Sequence, residues 1–172
     1  MKQLLQICFT ILIIQFSATA LKAQSNQYLD FDGVDDFVTV PNASSIIEGS
    51  TSFSMTGWFW DNALTYGQGM MGFRNTNAGF YMIELNNGQI EARMQNSAGT
   101  LYNLHTANYV IVPQTWQHYA WVYNGSTCKL YLNGNLIGTI NASGTITSTT
   151  TPFAIGKSIL SGFNFVYSGR ID

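Results

Sequence analysis

The chain is 172 residues long, and seven Lys and Arg against nine Asp and Glu give it a formal net charge of −2. Cations this few and this scattered form no basic stripe, which excludes nucleic acid as a partner, because binding a polyanion needs a continuous positive surface. Charged residues make up only 9% of the chain, whereas Gly, Asn, Ser, Thr and aromatics are plentiful, a mixture that favours many short strands joined by polar turns.

Residues 1–23 read as a secretory signal peptide: Lys2 precedes an apolar run from Ile7 to Phe16, and small residues follow. Cleavage after Ala20, in Ala18-Thr19-Ala20, and cleavage after Ala23 both fit. The run is too short to span a bilayer comfortably. Cys8 lacks the preceding small residues of a lipoprotein signal. No anchor is therefore expected, and the product is secreted or displayed at the cell surface. Processing leaves five basic residues and a single cysteine, Cys128, so no intrachain disulfide can form. Core packing must hold residues 24–172, a length at which one domain buries about two thirds of its unfolded surface.

Along the mature chain no apolar period of 3.6 persists over three turns, so the fold is all-β. Tyr28–Asp32 and Phe37–Val40 flank Gly33, giving a first hairpin or corner. Phe53, Met55, Gly57 and Phe59 alternate with Ser54, Thr56, Trp58 and Trp60, with bulk on both sides, as in an interior strand. In GFYMIELNNGQIEARMQN, Asn87-Gly88 predicts a two-residue turn. The register then sets Leu85 opposite Ile90, Glu84 opposite Glu91, Ile83 opposite Ala92 and Met82 opposite Arg93. Tyr81, Ile83, Leu85, Ile90, Ala92 and Met94 form the expected core side. In WQHYAWVYNGSTCKLYLNGNLIGTI, turns at Asn124-Gly125 and Asn133-Gly134 make a three-stranded meander. Here Tyr119, Trp121 and Tyr123 share one face, and Trp116, His118, Ala120 and Val122 the other. Asn141–Thr151, rich in Ser and Thr, is a loop. Pro152 opens another strand, and FVYSGRID begins the last.

Four segments in order, YLDFDGVDDFVTVP, TSFSMTGWFW, WQHYAWVYNGSTCKLYLNGNLIGT and PFAIGKS…FVYSGRID, resemble the laminin G-like branch of the concanavalin A-like lectin/glucanase superfamily. The resemblance covers nearly the whole mature chain and implies an antiparallel, two-sheet jelly-roll sandwich. In that family the G-x-I-D segment continues as a terminal strand beside the N-terminal one. Here that continuation is absent, so the resemblance implies a domain truncated at its C-terminal strand, with further domains in a longer chain. An edge left without its partner strand exposes backbone groups that invite association.

The acidic stretch LDFDGVDDF reads first as a turn, with Gly33 at the bend and Asp side chains capping backbone amides. It is not an EF-hand loop, since the glycine follows Asp32 too soon and no glutamate closes twelve residues. The resemblance adds a structural calcium where the N-terminal and terminal strands meet, with Asp32 and Asp172 as ligands.

On such a sandwich a glycan is held by aromatic rings and by side chains that bond hydroxyls. The candidates are Trp58, Trp60, Glu84, Glu91, Arg93, Trp116 and His118. The leading reading is a non-catalytic module that binds carbohydrate or an extracellular protein. A second reading is a glycoside hydrolase or polysaccharide lyase using Glu84 and Glu91, since a retaining glycosidase needs two carboxyl groups roughly 5 Å apart. The sugar-cleaving relatives carry E-x-D-x-x-E, which this sequence lacks. A third reading is a structural spacer. Cys128, with no partner base, reads as a small buried hydrophobe.

Overall fold

Alternating side chains and glycine-bearing turns produce strands from one end to the other of the computed structural model, which describes residues 27–75, 78–147, 151–160 and 162–172. The predicted signal peptide and residues 148–150 of the predicted Ser/Thr-rich loop lie outside the described residues. Among the described residues no helix is long and apolar enough to cross a membrane.

Two six-stranded antiparallel sheets enclose the core. The first runs in the order β1 (Leu29–Asp32), β14 (Ser168–Ile171), β3 (Phe53–Asp61), β8 (Gln117–Tyr123), β9 (Thr127–Leu132) and β10 (Asn135–Asn141). The second runs in the order β2 (Val38–Val40), β11 (Phe153–Ile155), β4 (Gln68–Asn75), β5 (Ala78–Leu85), β6 (Gln89–Gln95) and β7 (Leu101–His105). Beside the two sheets, the described residues form a separate hairpin, β12 (Lys157–Leu160) with β13 (Phe163–Val166), and a single helical turn at Ser44–Ile47. The first two strands therefore form a corner that passes from one sheet to the other at Gly33. As the alternation of β3 implied, that strand is interior, between β14 and β8.

The meander β8–β9–β10 has the predicted faces, although its first turn centres on Gly125-Ser126, with Asn124 bonded to Thr127, one residue beyond the predicted Asn124-Gly125. Tyr119, Trp121 and Tyr123 point inward and are 0–1% exposed. Asn133 and Gly134 take positive φ angles of 49° and 80°, which match the right-handed twist of a two-residue hairpin. Facing them from the second sheet are Phe73, Phe80, Met82, Ile90 and Met94, all 0–1% exposed. Phe80 and Trp121 stack across the gap at 5.7 Å between centroids. Burying side chains of this size contributes about 2–3 kcal/mol each. Cys128 joins this filling at 0% exposure, its sulfur 3.6 Å from that of Met94. Burial pushes its thiol up to about 12, so it is the inert hydrophobe that its sequence context implied.

The β5–β6 hairpin departs further from expectation. The β5–β6 connection is a three-residue loop, Asn86–Gly88, closed by Leu85 opposite Gln89. Its backbone is tied to a neighbouring segment: the Tyr109 N–H donates to the Asn87 carbonyl at 2.7 Å, and the Val110 and Ile111 N–H groups to that of Gly88 at 3.1 Å. These tertiary bonds favour the longer loop over the two-residue turn that Asn-Gly alone predicts. The register slips by one, and each slip of one exchanges the faces of a strand. Phe80, Met82 and Glu84 therefore face the core, with Ile90, Ala92 and Met94 as predicted. Tyr81, Ile83 and Leu85 face out, where Tyr81, Ile83 and Phe165 form a second small apolar cluster with Leu85 packed against it.

The hairpin β12–β13 lies over the outer side of β4. A Cβ placed on Gly69 would stand 2.1 Å from the Ser158 amide nitrogen and 2.4 Å from the Lys157 carbonyl carbon. Only glycine permits so close an approach.

Candidate functional site

Side chains at even positions of β3 and β8 leave the sandwich on the outer face of the first sheet. Trp58 is paired with His118, and their rings lie 5.2 Å apart. Trp60 and Trp116 lie 5.9 Å apart, and Tyr28 meets Trp116 at 5.7 Å. The neighbouring strand adds Arg170, opposite Trp60, whose guanidinium stands 5.0 Å above the Tyr28 ring and 5.5 Å above Trp60. Asp30 faces Arg170 across β1–β14, with 3.6 Å between Oδ2 and Nε. Trp58 and Tyr28 remain 46% and 45% exposed. Together with Trp116 and Asp172 they line a hollow of about 370 Å³. Asp172 is held there by its backbone, which exchanges both hydrogen bonds with Trp58, at 2.8 and 3.0 Å.

Four of the seven predicted glycan-binding residues, Trp58, Trp60, Trp116 and His118, thus come together. Tyr28 and Arg170 belong with them and were missed. Their signal was the period of two in β1 and β14, which becomes useful only once those strands are known to be neighbours.

The remaining three lie elsewhere. Glu91 and Arg93 are on the outer face of the second sheet, while Glu84 is in the core. The predicted Glu84–Glu91 pair is therefore corrected: Glu84 faces Ile90 and Glu91 faces Ile83, so the carboxylates project from opposite sides of one sheet. No arrangement of these side chains brings them to the separation a retaining glycosidase needs.

Glu84 instead meets Asp61, and both are 0% exposed. Glu84 accepts from the Gln68 amide and from the Thr65 N–H at 3.3 Å. Among the described residues no donor reaches bonding geometry at either Asp61 oxygen, although the Tyr167 hydroxyl and Glu84 lie against that carboxyl group. The hydroxyls of Tyr119 and Tyr167 are also buried without partners among the described residues. Burial, and then the charge of Asp61, pushes Glu84 up to about 8. Burial pushes Asp61 up to about 6. An acid held in its neutral form is the physical answer to two carboxyls in one apolar interior.

Glu91 has the opposite fate. Burial acts to raise its pKa, but bonds from His105 Nε2 at 3.0 Å and the Tyr81 hydroxyl at 2.8 Å, with Arg93 at 3.1 Å, outweigh it and hold the carboxyl below its ordinary value.

The acidic turn is built as the first reading of it proposed. Gly33 has φ 81°. Asp32 Oδ1 accepts from the Val34 N–H at 2.7 Å and from the Asp35 N–H at 3.4 Å, and Asp36 Oδ2 accepts from the Asp32 N–H at 3.2 Å. Asp32 and Asp172 do not share a site. Asp32 pairs with Ser168 and Leu29 with Ile171, which puts Asp172 four residues away along β14, about 14 Å at strand spacing. Among the described residues the acids close to Asp32 are Asp35 and Asp36, one carboxylate oxygen from each of the three lying within 4.8 Å of the others.

The family model described as the concanavalin A-like lectin/glucanases superfamily matches residues 32–172. The chain belongs to that superfamily. Among solved structures, this superfamily member is similar to the carbohydrate-binding module of the Ruminococcus gnavus IT-sialidase bound to α2,3-sialyllactose, at 14% identity and a TM-score of 0.64, covering 84% of this chain and 89% of that one. It is similar to domains LG4-5 of the mouse laminin α1 chain, at 14% identity and a TM-score of 0.63, covering 88% of this chain and 43% of that one. It is also similar to domain 4 of the Geobacillus stearothermophilus arabinanase AbnA in complex with arabinotriose, at 16% identity and a TM-score of 0.61, covering 87% and 73%. At these identities the likeness establishes the superfamily's two-sheet sandwich. No curated protein sequence matches the chain.

Proposed function

We propose that this protein is a non-catalytic, secreted or cell-surface module that binds glycans against the outer aromatic face of its first sheet. The observation that carries the reading is the half-exposed Trp58, standing with Tyr28, Trp116 and Asp172 around an open hollow. Indole and phenol faces stack on the C–H faces of sugar rings, and the hydroxyls around those rings need acceptors and donors. Asp172 supplies the first, and Arg170 and His118 the second. Two of the similar folds are described with an oligosaccharide, sialyllactose in one and arabinotriose in the other, which supports the same use of this scaffold. Extracellular protein ligands and a spacer role are the competing readings.

A glycan array with the purified protein, followed by calorimetric titration of the best ligand, tests the proposal. Trp58→Ala is expected to weaken binding about tenfold, the effect of losing about 50 Å² of apolar contact. Its melting temperature should stay near that of the parent, because the ring is outside the core. Silence across the array favours the spacer, and binding that survives both Trp58→Ala and Trp116→Ala removes this face.

The resemblance implies a calcium on Asp32 and Asp172, which lie apart here; the oxygens that remain to hold such an ion beside Asp32 are those of Asp35 and Asp36, a donor set that suits a hard cation. An ion there would tie the end of β1 to the start of β2, a structural rather than a catalytic role.

A further inference from the structure

The outer face of the second sheet is chemically unlike the aromatic face. Tyr81, Ile83, Glu91 and Arg93 form its floor, with Asn103 opposite Arg93 and His105 opposite Glu91 on β7. The hairpin β12–β13 forms a wall along one side, where Phe163 is 54% exposed and Phe165 packs on Tyr66, itself 61% exposed. Two guanidinium groups flank Tyr81: the Arg74 carbon stands 4.7 Å from the ring centroid and the Arg93 carbon 5.6 Å.

Charge on this face does not balance. Glu91 is its one carboxylate among the described residues, and it is already shared by Arg93, His105 and the Tyr81 hydroxyl. Among the described residues Arg74 has no carboxylate within ion-pair distance; its Nη1 donates to the Ser158 hydroxyl at 3.0 Å. The Lys157 ammonium is engaged elsewhere, 4.3 Å from the centroid of the Phe37 ring. Arg74 is 8% exposed and the Arg93 side chain 14%. The Nε atoms of both are buried and have no hydrogen-bond partner among the described residues. Guanidinium donors left free in a poorly solvated place are costly unless an acceptor arrives. Glu91 alone offsets both guanidinium groups, so among the described residues this face keeps one positive charge in excess.

We propose that this face is a second binding site, which receives the acidic group of a charged glycan on Arg93, within the field of Arg74. The planar guanidinium fork of arginine matches a carboxylate or sulfate with two parallel bonds. The exposed Asn103 and His105 lie where the rest of the sugar would pass, and the Phe163 and Tyr66 rings border it. The inference rests on the glycan-binding reading above but uses the opposite side of the sandwich.

Titrations with neutral lactose, sialyllactose, a uronic-acid disaccharide and a sulfated disaccharide test it, each against wild type, Trp58→Ala and Arg93→Gln. The expected result is that at least one acidic ligand binds about ten times more tightly than lactose at low salt, that the advantage shrinks in high salt, and that Arg93→Gln abolishes it while Trp58→Ala does not. The carboxylated and sulfated arms separate the two sources of negative charge. If the Arg93 variant folds poorly, the ¹⁵N shift of the wild-type Arg93 Nε–H decides, since an arriving anion must move it. Acidic ligands that show no advantage over lactose, or that leave the Arg93 signal unmoved, overturn the proposal while a Trp58-dependent neutral site stands. Loss of all neutral binding with the Arg93-dependent acidic site intact would instead overturn the aromatic-face reading alone.

Discussion

Glu84→Gln is the sharpest test of the buried acid pair. Glu84 and Asp61 are fully buried, and neither has a cationic partner among the described residues. Both carboxyls are raised, Glu84 from 4.5 to about 8 and Asp61 from 3.8 to about 6. A raised acid keeps its proton in the native state after the unfolded chain has lost it. Its stabilising contribution is therefore complete below the unfolded pKa and is lost as pH rises through the folded one. Above about pH 6, where Asp61 has ionised, the native chain holds the one extra proton of Glu84 and stability falls by about 1.4 kcal/mol per pH unit; below about pH 6 the raised Asp61 adds a second proton and a steeper fall. From about pH 6 to about pH 8 that slope removes about 3 kcal/mol, a large share of the roughly 5–15 kcal/mol that holds a typical domain together. The amide that replaces the carboxyl is neutral at every pH and loses the slope. It also sets an amide donor against the Gln68 amide that now donates to Glu84, an offset of about 1 kcal/mol, so slopes are compared rather than single values. Urea melts at about pH 5, 6, 7 and 8 should show the wild-type midpoint falling steadily and the variant's staying nearly level above about pH 6. Equal slopes, or a wild type more stable at the alkaline end of the series than at the acid end, would refute the reasoning.

Asn133→Ala should cost about 1–2 kcal/mol in a thermal melt, because Ala resists the φ of 49° and removes the Oδ1 that accepts from the His118 N–H at 2.8 Å; no change would mean that the turn does not hold the β9–β10 register. Gly69→Ala should cost about 2 kcal/mol or more by forcing the β12–β13 backbone off the sheet, and faster amide exchange at Ser158 would report the lifted hairpin. Calcium should raise the melting temperature and a chelator lower it, with Asp35→Asn insensitive to either, since a ligand of the native state alone stabilises by mass action; an unmoved melting curve removes the ion from the acidic turn. Cys128 should react with a thiol reagent only at the rate of unfolding, and labelling of the native protein within seconds would contradict its burial.

The first sheet was legible in the sequence because its strands have one wet face and one dry face. Trp121 against Val122 and Phe59 against Trp60 are told apart by period alone, and Asn133-Gly134 fixes a turn whose angles leave no alternative. The aromatic site followed from the same alternation. The second sheet resisted because β5 is dry on both sides: Met82 at 0% and Tyr81 at 1% exposure give pattern no purchase. Its register was decided instead by bonds from Tyr109, Val110 and Ile111 to the Asn87 and Gly88 carbonyls, contacts between segments far apart in the chain. That single slip moved Glu84 from a groove into the interior, beside an aspartate that nothing local connects to it. The corner at Gly33 was readable as a bend; which sheet each arm joined was not.

The seat of the β12–β13 hairpin has an implication for how such a module diversifies. Its near end rests on bare main chain at Gly69, and a Cβ at Gly67 would strike the Phe165 ring at 2.3 Å, so the height of the ridge is fixed by atoms that substitution elsewhere leaves alone. Phe163, at its far end, is exposed and meets the ring of Phe165. Ridge position and ridge chemistry are thus inherited separately: the crest can change its residues, and with them its choice of ligand, while the platform beneath keeps its shape.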